Sequence, residues 1–505
     1  MGKSRRNCVK TGAALLFSPA LLSLNGCQNS DNAIKIGVTS RPRMLDPRKA
    51  TDALSSRINR LIYRSLIDFD ERFAPVADLA TWEEIDPLHY RFTLLEQPIF
   101  HHGKKLSSED VVATYKSLLD KVFGSAHRGS LKGILEVTAV DETRIDFFLS
   151  EPDPLFVGRL VIGILPADLI EQNHPFPQKP VGCGACEFVF FNEQKLILSR
   201  QNDHTELHFI PVKDSTVRVL KLRKGELDLV QNDLSPELVN YCQQQDVLRV
   251  QWHNGTNFGY VGFNFDDPYL RQLPLREAIA HAIDRPAIIE AMFAGHARLA
   301  QSILTPQHWC GLHTEDRYNY DPNKAKALLK QVQTPDGGML EGEIELSYKT
   351  SNDPTRIRLA TIYQDQLKEV GIHLNIQSYD WGTFYNDIKQ GRFQLYSLAW
   401  VGVKSPDIFQ YVFDSAAIPP KGANRGRYRD KQTDQLIRKA AEASSMDEQA
   451  KIYRELQMRL YDDLAALPLW YEDQYAVSRS DIEGYRLYPD GRLDGLLFVR
   501  RSTAV

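Results

Sequence analysis

Four cysteines outside the first 27 residues are the most reactive side chains of this sequence: Cys183, Cys186, Cys242 and Cys310. Cys183 and Cys186 have the C-x-x-C spacing that suits a tight disulfide, a pair of metal ligands or a redox pair. No helical pattern follows them directly, which argues against a thioredoxin-like redox centre. A local disulfide or a pair of unreactive thiols is therefore favoured over catalysis.

A second cluster contains three residues that can ligate metals, His308, Cys310 and His313. Their spacing matches no structural zinc pattern. Residues of a surface loop are therefore the simpler interpretation, and an exported metal-dependent hydrolase is the alternative. The sequence contains no H-E-x-x-H, no G-x-S-x-G and no G-x-x-x-x-G-K-[ST] motif. We expect neither an enzyme nor a bound cofactor.

Aromatic and charged residues surround an apolar strand predicted at 393–401. Trp381 and Tyr385 lie one helical turn apart in a helix predicted over 381–390, so their rings face the same side. Core packing is the simpler interpretation of this pair, and a stacking platform is the alternative. The strand's carboxyl end is where α/β sheets place ligands. We therefore predict the ligand-binding residues Trp381, Tyr385, Trp400, Gly402, Lys404 and Asp407.

Basic residues near this segment allow two interpretations. Lys404 suits an anionic group of a ligand, or it is solvated and leaves Trp400 and Gly402 to line the cleft. Arg425, Arg427 and Arg429 alternate in a glycine-containing loop. They form a solvated face, or they bind an anionic ligand or a membrane permease.

The first 26 residues have the pattern of a signal peptide. Basic residues precede an apolar stretch that is interrupted by Pro19 and is too short to span a membrane. Residues 24–27, Leu-Asn-Gly-Cys, resemble a lipobox with Cys27 as the lipidated residue. Arg5-Arg6 resembles a twin-arginine export signal, and a Sec signal is the alternative. We predict a periplasmic or cell-envelope protein that is anchored to the membrane only through lipid, with residues 27–33 as a tether.

The length and charge of the chain limit the number of domains and the kinds of partner to be expected. A chain of 505 residues needs more than one core. The net charge is −4, and residues 1–26 contain only basic charges, so the mature chain is more acidic still and no nucleic acid is expected as partner. Strand and helix patterns alternate over 321–401, which predicts an α/β lobe with a largely parallel sheet.

The stretch 259–289 combines a short strand pattern with two helices, the second capped by Asp284. It resembles the signature "GFN…P…VRxAxxxAIDRxxII" of the family-5 solute-binding proteins of ABC importers, the oligopeptide-, dipeptide- and nickel-binding group. The resemblance extends from residue 34 to about residue 484. The matching residues are Phe263-Asn264, Arg276, Ala278, Ala282-Ile283-Asp284-Arg285 and Ile288-Ile289.

This resemblance implies a two-lobed periplasmic-binding-protein-like fold of type II, in the large cluster with an extra subdomain. The two lobes would be joined by a hinge of two crossing strands, near residues 260 and 471. Lobe I would comprise 34–72, 187–258 and 475–505, the extra subdomain 73–186, and lobe II 259–474. The implied function is capture of a small ligand, peptide-like or other, and its delivery to an ABC import permease by a monomeric protein.

The resemblance also sharpens the ligand question. Peptide-binding members have an Asp in the pattern W-x-A-D that pairs with the peptide ammonium, and Val403 stands at that position here. An apolar side chain cannot neutralise a buried ammonium. Either Asp407 replaces that Asp, or peptides are not held by their N-terminus. A sensor or chaperone-like binding role outside transport is the alternative function, because the fold does not fix the function.

Overall fold

A computed structural model describes residues 33–443 and 445–502. The elements of the first half are, in chain order, β1 (Ile34–Val38), α1 (Ala53–Ile62), β2 (Ile67–Phe69), β3 (Pro75–Ala77), β4 (Ala80–Asp86), β5 (His89–Leu94), α2 (Ser108–Leu119), β6 (Ile134–Ala139), β7 (Arg144–Leu149), α3 (Ala167–Glu171), β8 (Cys186–Phe191), β9 (Leu196–Arg200), β10 (Glu206–Pro211), α4 (Ser215–Lys224), β11 (Leu229–Gln231) and α5 (Pro236–Gln243).

The second half begins with a long strand. Its elements are β12 (Leu248–Phe263), α6 (Leu273–Ala282), α7 (Arg285–Phe293), β13 (Ala297–Leu299), α8 (Pro322–Leu329), β14 (Ile344–Ser351), α9 (Pro354–Lys368), β15 (Ile372–Tyr379), α10 (Trp381–Gln390), β16 (Leu395–Trp400), α11 (Ile408–Phe413), α12 (Lys431–Glu442), α13 (Met446–Asp462), β17 (Leu467–Arg479), β18 (Ile482–Glu483) and β19 (Arg500–Arg501).

One large sheet runs through both halves of the molecule. Its strand order is β15-β14-β16-β12-β17-β11-β1-β10-β9-β8, with β13 paired to β17. The long strands β12 and β17 pair antiparallel, and their ladder is irregular between His253 and Asn257. On one side of this irregularity β17 also pairs with β11, and on the other side β12 also pairs with β16. The two strands therefore connect two separate regions of the sheet.

Separate apolar cores lie on the two sides of this crossing. The first contains Ile36, Leu207 and Leu229 from the N-terminal part of the chain. The second contains residues such as Phe263 and Leu346. A four-stranded sheet, β4-β5-β7-β6, has a core of its own under α2. This mixed α/β arrangement of two lobes and an additional sheet agrees with the predicted fold class.

Local sequence signals account for several helix starts. The Asp284 side chain accepts a hydrogen bond from the backbone N–H of Ala287 and caps α7, as predicted. Ser107 and Asp110 form the capping box that begins α2. The short strand predicted at the start of 259–289 is the end of a much longer strand, β12, whose earlier residues pair with β17. The predicted lobe boundary at residue 259 falls inside this strand and stays a prediction.

Candidate ligand-binding cleft

The carboxyl ends of three strands form one edge of the second lobe. β14 is parallel to both β15 and β16, so Ser351, Tyr379 and Trp400 lie at the same edge of the sheet. Trp400 lies opposite Phe258 of β12, next to the irregularity at which β12 passes between the two cores. This edge therefore faces the first lobe, and strand ends of this kind are where α/β sheets bind ligands.

Trp381 and Tyr385 form a stacked pair at this edge. α10 begins at Trp381 because the Asp380 side chain accepts a hydrogen bond from the backbone N–H of Thr383. The two ring centroids are 5.4 Å apart, and the rings are inclined by 9°. Trp381 is 57% exposed, while Phe384 supplies buried surface to the core. The core-packing interpretation of Trp381 is therefore wrong, because the helix turns its indole away from the interior.

Arg425 lies among aromatic side chains beside the same pair. Its guanidinium donates hydrogen bonds to the hydroxyls of Tyr260 (3.2 Å) and Tyr385 (3.1 Å). The guanidinium carbon is 4.7 Å from the centroid of the Trp400 ring and 5.3 Å from that of Tyr385. Burial alone would lower the pKa of Arg425, but the neighbouring phenols, Tyr260 and Tyr396 first, hold it above its ordinary value.

The other two arginines of this loop have different partners. Arg427 Nε lies 3.3 Å from one oxygen of Asp266, and Arg429 Nη1 lies 2.7 Å from the other. The prediction treated Arg425, Arg427 and Arg429 as one group with a shared role. The structure separates them, because alternation keeps side chains on one face only in an extended strand, and this segment is an irregular loop.

The loop after β16 turns sharply at Gly402. Its φ of +69° lies in the left-handed region that favours glycine, and a Cβ there would meet open space. Trp400 before it is half-buried. Val403 after it packs against the core of the second lobe. Trp400 and Gly402 therefore lie at the predicted edge, and Val403 offers no charge to a ligand.

Lys404 bridges the two lobes. Its Nζ lies 2.6 Å from Oδ2 of Asp490, a carboxylate that is only 6% exposed. It also lies 5.8 Å from the centroid of the Phe69 ring. Burial alone would raise the pKa of Asp490, but Lys404 and Arg492 bring it below its ordinary value. The charge of Lys404 is therefore neutralised by the protein, contrary to both interpretations of Lys404 as a ligand's partner or a solvated side chain.

Asp407 makes a second bridge of this kind. Its Oδ2 lies 2.8 Å from Nη1 of Arg159, which also lies 2.6 Å from Asp153 through Nε. Arg159 belongs to the segment predicted as the extra subdomain, and Asp407 follows the strand end of the second lobe. Asp407, the predicted replacement for the Asp absent at Val403, is thus already paired with an arginine.

An aromatic cavity of about 160 Å³ lies beside Lys404. It extends between the small sheet of the first half and the loops of the second lobe. Local sequence patterns do not predict this cavity, because the fold brings the rings of residues 69–90 together with a ring more than 200 residues later in the chain. The aromatic residues that line it are Phe69, Phe73, Trp82, Tyr90 and Trp309.

Comparison with known proteins gives the chain a family. The family model for bacterial extracellular solute-binding proteins, family 5 middle, matches residues 74–418. This chain belongs to that family. A dipeptide-binding protein of Pseudomonas aeruginosa is 27% identical over 432 residues, which are 78% of this chain and 79% of that protein. The heme-binding protein A of Haemophilus influenzae is 24% identical over 543 residues, covering 96% and 98% of the two chains.

Solved structures of solute-binding proteins have the same fold. The ABC transporter substrate-binding protein CtaP of Listeria monocytogenes superposes with a TM-score of 0.83 at 25% identity, covering 93% of this chain and 99% of that one. These family-5 relatives are binding proteins rather than enzymes. The recognition made from residues 259–289 is confirmed by these comparisons.

The suggested metal cluster of this solute-binding protein is only partly assembled. His308 Nδ1 lies 3.3 Å from the Cys310 sulfur, but His308 Nε2 lies 3.0 Å from the carbonyl oxygen of Lys404. His308 also stacks on Phe73, and burial lowers its pKa to about 4. His313 is exposed. Within residues 33–443 and 445–502, no three such side chains are placed to hold a metal ion.

The C-x-x-C pair forms a structural turn. Cys183, Cys186, Cys242 and Cys310 are all buried free thiols, so the disulfide alternative for the pair is not what the structure contains. Burial raises the pKa of Cys183 and of Cys186 to about 12, which leaves them protonated and unreactive near neutral pH. Gly182 and Gly184 flank Cys183, and a Cβ at either would collide with the backbone of Ile62.

The predicted lipidation site lies outside the part of the chain that can be described. Cys27 and the signal peptide precede residue 33, where the described structure begins. In that structure, no helix has the length and apolar character needed to cross a bilayer.

Proposed function

We propose that this family-5 protein captures a small solute between its two lobes and delivers it to an ABC import permease. The observation that carries the proposal is the pair of long strands, β12 and β17, whose ladder breaks near His253 between two separate cores. Lobes joined through a few strands can open and close about them. Membership of the family supports the same role.

Closure around the solute supplies the physical mechanism. A solute that contacts both lobes stabilises the closed arrangement by the difference between its affinities for the closed and open forms. Two ion pairs, Lys404–Asp490 and Asp407–Arg159, also cross between the regions that would separate on opening. Part of the stability of the closed form therefore comes from the protein itself.

The solute is small and peptide-like, or another organic molecule of similar size. Relatives are named as dipeptide-binding and heme-binding proteins, so the family's cleft accepts more than one chemistry. Val403 and the pairing of Asp407 with Arg159 argue against a peptide held through its N-terminal ammonium. Trp381, Tyr385, Trp400 and Gly402 remain the proposed contacts on the second lobe.

The sequence features before residue 33 support a location at the cell envelope. Residues 1–26 would direct export by the Sec or the twin-arginine route, and lipid on Cys27 would anchor a monomer through the tether at 27–33. We further propose the lobe and subdomain boundaries predicted above. Cys27→Ser should release the protein from the membrane fraction, as measured by fractionation of expressing cells. Unchanged membrane association would remove the lipid anchor from the proposal.

Native mass spectrometry of the protein as purified tests the main proposal. We expect a bound small molecule that is released by denaturation. Adding the released compound to stripped protein should reduce the radius of gyration in small-angle scattering. The absence of a bound solute, together with no ligand-dependent compaction over a broad metabolite panel, would contradict capture by lobe closure.

A further inference from the structure

The two acidic groups paired at the loop after β16, Asp490 and Asp407, are not available to a solute. Asp490 is paired with Lys404, whose ammonium nitrogen lies 2.6 Å from Oδ2 of that carboxylate. Asp407 is occupied by Arg159 at 2.8 Å. A cationic solute would have to displace one of these internal cations and leave it without a partner, which is costly in a partly buried site. The charge arrangement of this loop therefore disfavours cations.

Two further carboxylates near this edge are also unsuited to a cation. Burial raises the pKa of Glu472 at the crossing, and Arg356 opposes this rise. Asp380 uses its carboxylate to cap α10 through the N–H and hydroxyl of Thr383. Both carboxylate oxygens of Asp380 are thus used within the first turn of α10.

Arg425 is the contrasting group. In the described structure its guanidinium donates hydrogen bonds only to the hydroxyls of Tyr260 and Tyr385, and it makes no ion pair there. Each of these bonds uses one N–H of one Nη, so donors of the guanidinium remain without a described partner. A guanidinium that is largely removed from water gains most from an anion that accepts two hydrogen bonds.

We propose that Arg425 binds a carboxylate of the solute and so selects an anionic ligand. This inference rests on the proposed capture of a solute in the same cleft. The stacked rings of Trp381 and Tyr385, together with Trp400, offer a flat surface for an apolar group next to that carboxylate. A peptide's terminal carboxylate and a simple organic acid share this chemistry.

Two matched pairs of probes test the proposal on the purified mature protein after removal of bound solute. The first pair is phenylacetate and phenylacetamide, and the second is glycyl-phenylalanine and its C-terminal amide. Within each pair the members differ in charge at one group and little in shape. We expect at least one carboxylate to bind roughly tenfold to a hundredfold more tightly than its amide in calorimetry, the range for a charge-assisted hydrogen bond.

The two pairs identify the source of the carboxylate. Preference for the free dipeptide over its amide supports a peptide carboxylate, and preference confined to phenylacetate supports a simple organic acid. Equal affinities within both pairs, or binding of none of the four compounds, would overturn the role of Arg425.

Variants locate the effect at Arg425. Arg425→Gln should abolish the preference for the carboxylate, and Arg425→Lys should retain part of it because the charge remains. Arg429→Gln is the matched control, since Arg429 is in the same loop but pairs with Asp266 away from the aromatic group. Circular dichroism verifies folding, and the comparison within wild type needs no variant. A preference that survives in Arg425→Gln would contradict the proposal.

The outcomes distinguish an error in the role of Arg425 from an error in the proposed function. If the solute released in native mass spectrometry lacks an acidic group but still causes compaction, the protein captures a solute and only the role of Arg425 is wrong. If nothing is captured and no compaction occurs, the proposed function itself is wrong.

Discussion

Two basic side chains that follow Trp400 in the chain have opposite electrostatic environments. The ammonium of Lys404 lies 2.6 Å from the buried carboxylate of Asp490. The guanidinium of Arg425 lies among Tyr260, Tyr385 and Trp400 and has no acidic partner in the described structure. Lys404 is paired with a carboxylate of the other lobe, whereas Arg425 is surrounded by aromatic rings and hydroxyls of its own lobe.

This difference separates two tasks that a closing receptor has to perform. A charge paired with the opposite lobe stabilises closure whether or not a solute is bound. A charge left unpaired in the cleft makes closure depend on a solute that supplies the missing anion, because burying an uncompensated charge is costly. In the proposed function, Lys404 contributes to closure and Arg425 to recognition of the solute.

The largest stability effect is expected from breaking the Lys404 pair. Lys404→Met leaves Asp490 buried without its partner, and we expect a loss of about 1–3 kcal/mol in the free energy of unfolding. This range lies below that of fully buried pairs, because the Lys404 side chain is 24% exposed. Urea denaturation followed by tryptophan fluorescence measures the loss.

The double variant Lys404→Met, Asp490→Asn distinguishes a pair from a general packing effect. Removing both charges should restore part of the lost stability, since no buried carboxylate is then left unpaired. Additive losses in the two single variants and the double variant would mean that the two side chains do not interact in solution.

Lowering the pH should reduce the free energy of unfolding by up to the amount that is lost in Lys404→Met. The folded-state pKa of Asp490 is lowered, so its contribution is fully present above the unfolded-state value of about 3.9 and is lost as pH falls through the lower folded-state pKa. Unfolding free energies of wild type and Asp490→Asn should converge as the pH is lowered from about 6 to about 3. A difference that stays constant over this range would show that the carboxylate's charge is not involved.

Sequence patterns predicted the frame of this cleft well. Trp381–Gln390 was predicted as a helix with its observed bounds, because Asp380 and Gly391 provide strong start and stop signals. The strand predicted at 393–401, an apolar run between a glycine-ended helix and a polar loop, is observed as β16 over Leu395–Trp400. The motif at 259–289 predicted the family, because its residues are those that pack one strand against two neighbouring helices.

Charge pairing could not be predicted in the same way. Lys404 and Asp490 are far apart in the chain and in different lobes, so no local pattern connects them. Arg425 was grouped with Arg427 and Arg429, and only the fold of the loop directs one of them toward Tyr260. Long-range partners depend on the complete fold, whereas helix caps depend on a few neighbouring residues.

A smaller effect is expected at the second bridge between the lobes. Asp407→Asn removes the charge that pairs with Arg159. The Asp407 side chain is 39% exposed and that of Arg159 is 22% exposed, and Arg159 still pairs with Asp153 in the variant. We expect a loss of about 0.5–1 kcal/mol that shrinks further at high salt, because solvent screens partly exposed pairs. Denaturation at low and high salt measures it, and a loss as large as that of Lys404→Met would contradict the ranking of the two pairs.

The smallest effect is expected for Arg429→Gln, which completes the comparison within the arginine loop. Arg429 and Asp266 are each about half exposed, so their pair gains little beyond the hydration that it replaces. We expect the unfolding free energy to change by no more than about 0.5 kcal/mol, with carboxylate binding unaffected. A substantial loss of carboxylate binding in this variant would show that the anion responds to the general positive field of the loop. Recognition would then be diffuse, and the position of Arg425 among its aromatic neighbours would not determine it.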